Sequence, residues 1–356
     1  MDPIYINGKF CARDMTGVQR VASCLALALD AMPELSARRW TLLMPPTGRP
    51  LALQRIVQRT VGQAGWPLHA WEQVTLPLAA RDGLLINLAG SAPAFARRQW
   101  ALLHDAAVFD HPEAYTAAFV SWYRWLFRRL ARRAERLFTV SAFSRNRLAR
   151  CLGVEAQRFN VLPNGADHLG SVVPDDTRLR EHGLLGTPFL LAVGSANPTK
   201  NLRALVAAYA RLQRPGLRLV IAGGRNEQVF AETNLSGDPP GVLRLGPVGD
   251  ASLKALYRAA LALVFPSTYE GFGLPPLEAM AEGCPVAVAD AAALPEVCGN
   301  AALAFDPNRI EAIEDALRRL VDDDALRTRL RAAGRARAAQ FRWDRAATLL
   351  MDGLRA

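Results

Sequence analysis

The stretch FPSTYEGFGLPPLEAMAEG, residues 265–283, decides how this chain is read. It leaves an apolar run, LALVFPS at 261–267, and enters a helical segment. Pro275 and Pro276 suit the first turn of a helix, where a missing amide hydrogen costs nothing, so the helix starts near them. Gly271 and Gly273 just before it let a ligand approach the backbone closely. The free amides and the helix dipole there attract an anion such as phosphate. Glu270 and Glu278 flank the same loop. Two carboxylates repel a diphosphate unless their oxygens face something neutral, and sugar hydroxyls fit, because a carboxylate accepts two hydrogen bonds from a vicinal diol. The loop reads as built for a sugar and a phosphate together. The plainer alternative is a strand-to-helix connection with two solvated glutamates.

Working outward, short apolar runs recur with helical stretches between them: LLINLAG (84–90), ALLHDA (101–106), RLFTVSA (136–142), FNVLPNG (159–165), FLLAVGS (189–195), LRLVIAGG (217–224), LALVFPS and PVAVAD (285–290). Runs apolar on both faces suit buried parallel strands, and the alternation predicts an α/β fold. In such sheets ligands sit at the carboxyl ends of strands, where the 265–283 loop falls. A second loop at such an end is AVGSANPTKN, residues 192–201. Lys200 there opposes the dipole of the helix it opens, which makes sense if an anion lies between; a solvated lysine is the alternative.

The chain has 356 residues, more than one domain usually holds, and its 51% hydrophobic and 21% charged residues are those of a globular protein. The polar, Pro- and Gly-rich segment 168–187 is expected to link two domains, 1–172 and 173–340, with a helix over 341–356 crossing back to the first. The net charge of +10 comes almost entirely from arginine, since Lys9, Lys200 and Lys254 are the lysines. It is weak support for a nucleic-acid partner, and none is expected. Five scattered cysteines, without C-x-x-C pairing, read as reduced core residues. The sequence shows no signal peptide and no membrane-spanning run, so a cytoplasmic location is expected.

Taken together, these residues resemble a family. The E-x7-E spacing of Glu270 and Glu278, the run from Gly194 to Asn201 and VIAGG at 220–224 are similar to the retaining glycosyltransferases of family 4, including mannosyltransferases of surface-polysaccharide assembly. In the first half TGVQR (16–20), the His104-Asp105 pair, HPE (111–113), TVSAFSR (139–145) and LPNG (162–165) follow in the family's order. The resemblance implies the GT-B fold, two Rossmann-like domains facing across a cleft. It implies that Lys200 meets the donor diphosphate and Glu278 the ribose. Glu270 would hold the transferred sugar, together with the backbone of Phe272, Gly273 and Leu274. Ser195 and Val248 would also line the donor site, Gly17 would lie near the phosphates, and His104 near the reacting carbon. Many relatives carry an arginine where Ser195 or Thr199 stands here; Arg225 is the expected substitute.

The implied reaction moves a hexose, mannose first, from a nucleotide-sugar such as GDP-mannose to a glycan or lipid-linked glycan, as in O-antigen synthesis, with retention and without a metal or other cofactor. Rhamnose or glucose donors and a non-catalytic sugar-nucleotide binder are the alternatives; a phosphorylase would need a longer chain and a pyridoxal lysine. Asp322-Asp323-Asp324 matches a metal-binding Asp-x-Asp pattern but reads as a helix boundary. Residues 119–138 carry Arg124, Arg128, Arg129, Arg132, Arg133 and Arg136 among aromatics. This predicts either a helix on the inner membrane face, with Trp122, Trp125 or Phe127 inward, or an ordinary domain helix.

Overall fold

The computed structural model describes residues 2–195, 197–224 and 237–355. The chain divides into two compact units, one of Met1–Phe109, Ser121–Gly165 and Trp343–Ala356, the other of Asp110–Val120 and Ala166–Arg342. Residues 168–187 belong to the second unit and contain a short helix, Thr177–Glu181.

The first unit is built on seven parallel strands, β1 Ile4–Asn7, β2 Trp40–Met44, β3 Val57–Thr60, β4 Leu84–Asn87, β5 Gln99–Leu102, β6 Arg136–Thr139 and β7 Phe159–Val161, in the order β3-β2-β1-β4-β5-β6-β7. The sequence direction reverses between β1 and β4, and both strands are buried along their whole length. A strand pair of this kind opens a crevice at its carboxyl ends. Helix Gly17–Asp30 packs against the C-terminal helix Trp343–Arg355, which buries Ala347 and Leu350.

The second unit holds six parallel strands, β8 Phe189–Val193, β9 Arg218–Ala222, β10 Val242–Gly246, β11 Ala262–Phe265, β12 Val286–Ala289 and β13 Leu303–Phe305, ordered β10-β9-β8-β11-β12-β13. Its direction reverses between β8 and β11. The loops 194–201 and 266–273 follow those two strands, so both sequence-picked loops open at the switch point.

Seven of the eight apolar runs contain a strand, and the run at 101–106 overlaps the end of β5, which starts at Gln99. The helix expected over 119–138 instead spans Ala117–Arg133, and Arg136 opens β6. Residues 323–356 form two helices, Asp324–Ala338 and Trp343–Arg355, and Asp323 caps the first by accepting from the Leu326 amide at 2.7 Å. Among the described residues no helix is long and apolar enough to cross a membrane.

Candidate active site

In the second unit the site starts from a carbonyl. Asn197 Oδ1 accepts from the amide and hydroxyl of Thr199, at 2.9 and 3.0 Å, which folds residues 197–200 into a tight turn. The Thr199 carbonyl then accepts from the Thr268 amide at 2.8 Å and the Ser267 hydroxyl at 3.1 Å. The loops after β8 and β11 are thereby stitched together, and the stitch sets Lys200 against Glu270: their side chains form an ion pair, only 21% and 14% exposed. The Lys200 ammonium also stands 5.4 Å from the centroid of the Phe265 ring. Among the described residues no bound anion is needed to explain this lysine; a carboxylate already faces it.

Gly273 adopts φ +97°, a left-handed conformation that disfavours a side chain, and a Cβ there would lie 2.5 Å from Leu294 Cδ2. Helix Leu274–Ala281 begins at once, with Pro275 and Pro276 in its first turn. Phe272 is buried edge-on to Phe341, with ring centroids 5.7 Å apart. One turn on, Glu278 is 3% exposed, far from the solvated glutamate of the plainer reading. Its Oε2 accepts from the Tyr257 hydroxyl at 2.9 Å and its Oε1 lies 3.0 Å from His168 Nε2. The bond from the Tyr257 hydroxyl orients the carboxylate, and His168 lies close beside it. Tyr269 donates to Asp110 Oδ2 at 2.8 Å and meets the His111 ring edge-on at 4.8 Å, so the HPE segment sits on the second unit's loop.

In the first unit His104 follows β5. Its Nε2 lies 3.1 Å from the Leu88 carbonyl, an atom that only accepts, so Nε2 carries the proton and Nδ1 is the acceptor. Part of the ring reaches solvent, yet enough protein surrounds it that desolvation pushes its pKa down to about 4, against a small opposing effect of that hydrogen bond. His104 is therefore a neutral imidazole at pH 7. The loop after β4 passes close beside it: a Cβ on Gly90, where φ is +70°, would lie 3.2 Å from His104 Cδ2 and 3.9 Å from Val18. Gly17 opens the neighbouring helix with nothing within 4 Å of where its Cβ would stand. Asp105 turns back on the chain, accepting from the Ala107 amide at 2.8 Å.

The comparisons with known proteins bear on both units. The family described as Glycosyl transferases group 1 matches residues 175–337, and that described as Glycosyltransferase Family 4 matches residues 82–168. An O-antigen chain mannosyltransferase B of Escherichia coli is 34% identical over 254 residues, covering 69% of this chain and 67% of that protein. The chain belongs to glycosyltransferase family 4. An O-antigen chain mannosyltransferase, RfbU, of Salmonella typhimurium is 28% identical over 227 residues, and the match spans 61% of its length. A sucrose-phosphate synthase from Thermosynechococcus elongatus superposes with a TM-score of 0.77 at 21% identity, covering 100% of this chain and 98% of that one. The two doubly wound parallel sheets of this glycosyltransferase are thus those of the GT-B fold.

The glycosyltransferase brings Lys200, Glu270, Phe272, Gly273, Leu274 and Glu278 together in its second unit, with Ser195 on the loop after β8 and Val248 on the connection that follows β10. His104 and Gly17 belong to the first unit. Arg225 lies outside the described residues. Sequence reading missed Tyr257 and His168, which stand 21 and 110 residues from Glu278 and carry no motif of their own. Of the aromatics proposed to face a membrane, Phe127 is buried against Phe109 and Tyr123, while Trp125 is 43% exposed. Cys11, Cys284 and Cys298 are buried, which pushes each thiol up to about 12, as inert core residues require.

Proposed function

We propose that this glycosyltransferase moves mannose from GDP-mannose to a glycan or lipid-linked glycan acceptor, in the assembly of a surface polysaccharide such as an O-antigen. The likeness to two O-antigen mannosyltransferases supports the sugar and the setting. The observation that carries the donor reading is the Lys200–Glu270 pair on the loops at the carboxyl ends of β8 and β11, with Glu278, buried and held by the Tyr257 hydroxyl, on the helix that the second loop enters. A cation and a carboxylate that neutralise each other can part to meet unlike neighbours: Lys200 the diphosphate, Glu270 the hydroxyls of the sugar. Amides at the start of helix Leu274–Ala281 support Glu270 there. Glu278 takes the ribose diol, and Ser195, Val248 and Arg225 complete the donor's contacts.

His104, being neutral, accepts a hydrogen bond through Nδ1 and orients the reacting sugar; it does not attack. The acceptor oxygen bonds to the anomeric carbon on the face from which the diphosphate departs. The bond to phosphate breaks, the acceptor's proton passes to the leaving oxygen, and Lys200 offsets its charge. The configuration is retained, and no metal takes part. We assign the enzyme to the cytoplasmic side of the inner membrane. Its exposed Phe95 and Trp125, 6.4 Å apart and flanked by exposed Arg128, Arg132 and Arg133, face the bilayer. Incubation with GDP-mannose and methyl α-mannoside, followed by proton NMR of the product, tests the reaction. An α-linked disaccharide formed equally well in excess chelator is expected; a β-linked product or a chelator-sensitive rate would contradict it.

A further inference from the structure

The first unit buries a charge that the reaction above does not use. Glu72 has no exposed side-chain surface, and it stands on one turn of π-helix, Trp71–Thr75, inserted between the helical turns Leu68–Ala70 and Leu76–Ala79. Such turns widen a helix and recur at functional sites. This one aims Glu72 at the crevice between β1 and β4. There Glu72 Oε1 accepts from Asn7 Nδ2 at 3.0 Å and from the Ser91 hydroxyl at 2.7 Å, and Oε2 accepts from the Lys9 ammonium at 2.6 Å. Asn7 and Asn87, the last residues of the two strands, bond to each other at 3.0 Å, and the Tyr123 hydroxyl joins through Ser91.

A buried ion pair seldom stabilises a fold more than apolar residues of the same volume would, so its presence calls for another role. That role is visible at the rim. Lys9 Nζ also reaches His69 Nδ1 at 3.5 Å, and His69 is exposed. An ammonium only donates, so Nδ1 is the bare nitrogen and Nε2 carries the proton. Burial, then the charge of Lys9, outweigh the opposing charge of Glu72 and, with Arg13, hold the His69 pKa below its ordinary value, so the ring presents one N–H donor. The loop Leu88–Ser91 has this group on one side, through Ser91, and His104 on the other, through Leu88 and Gly90.

We propose that His69 donates through Nε2–H to a hydroxyl of the acceptor sugar, and that the Lys9–Glu72 pair is the positioning device that fixes its tautomer. The assignment rests on the mannosyltransferase reading. It predicts that His69→Phe raises KM for methyl α-mannoside about tenfold, the loss of one hydrogen bond, while kcat and the rise in melting temperature with GDP-mannose stay as in the wild type. His69→Gln, which keeps a donor, restores most of the affinity. The double variant Lys9→Met with Glu72→Met folds, because both charges go together, and reproduces the KM of His69→Phe. An unchanged acceptor KM in His69→Phe, or a loss confined to GDP-mannose binding, overturns the assignment while leaving the reaction intact. Absence of transfer by the wild-type enzyme itself overturns the reaction, and the assignment with it.

Discussion

His104 gives up a proton that the unfolded chain keeps. With its pKa near 4 in the fold and 6.5 as its ordinary value, the unfolded state binds more protons between those two values. Stability is therefore fully present above about pH 6.5 and declines as pH falls toward 4. Urea titrations from pH 7 to 4 are expected to show that decline in the wild type and a shallower one in His104→Asn. The same substitution is expected to lower kcat roughly tenfold at pH 7.5 with GDP-mannose binding unchanged. Tyr257 makes a complementary case. Tyr257→Phe removes the hydroxyl that orients a buried carboxylate, and isothermal titration is expected to show GDP-mannose bound about tenfold more weakly. Lys200, Glu270 and Glu278 were legible in the sequence because each sits in a short motif at a strand end. Tyr257 and His168 were not, because nothing local marks a helix residue and a turn residue that converge only after the sheet has formed.

At the scale of elements, the loop 266–273 is where local geometry and chemistry are most tightly joined. Gly273→Ala forces a side chain into a left-handed backbone and against Leu294, and is expected to cost about 1–3 kcal/mol in chemical denaturation. Donor KM should rise with it, since Glu270 is carried on the same loop. The helix Ala117–Arg133 shows what periodicity cannot decide. Its arginines were countable in the sequence, but Arg124 donates to the Val108 carbonyl at 2.8 Å and Arg129 to the Ala94 carbonyl at 2.6 Å, so these two serve the fold. The aromatic that joins Trp125 at the surface, Phe95, comes from a different segment, 69% exposed, and no pattern in residues 119–138 could supply it. Phe95→Ser with Trp125→Ser is expected to reduce sedimentation with phosphatidylglycerol vesicles about tenfold and leave transfer to methyl α-mannoside unaltered. Equal sedimentation of the two proteins would remove the bilayer contact from the account.

For the whole molecule, alternating apolar runs announced the α/β class, because buried parallel strands are apolar on both faces, while the expectation of two Rossmann-like domains came with the family resemblance. Among the strands that no quoted run marked, β3 is a largely exposed edge and β10 lies at the other sheet's edge, whereas β1 and β2 are buried throughout and were passed over all the same. Lys9 and Glu72 were equally silent, since 63 residues separate them and only the order of β1 and β4 brings them together. In the proposed reaction the second unit holds a GDP-sugar through Glu278. This is tested most directly by the melting temperature of the purified enzyme with GDP-mannose, UDP-glucose, dTDP-rhamnose and ADP-glucose, beside Glu278→Gln. A rise with GDP-mannose that is much reduced in Glu278→Gln is expected; a rise with a different base, or one that the substitution leaves untouched, would overturn the donor reading.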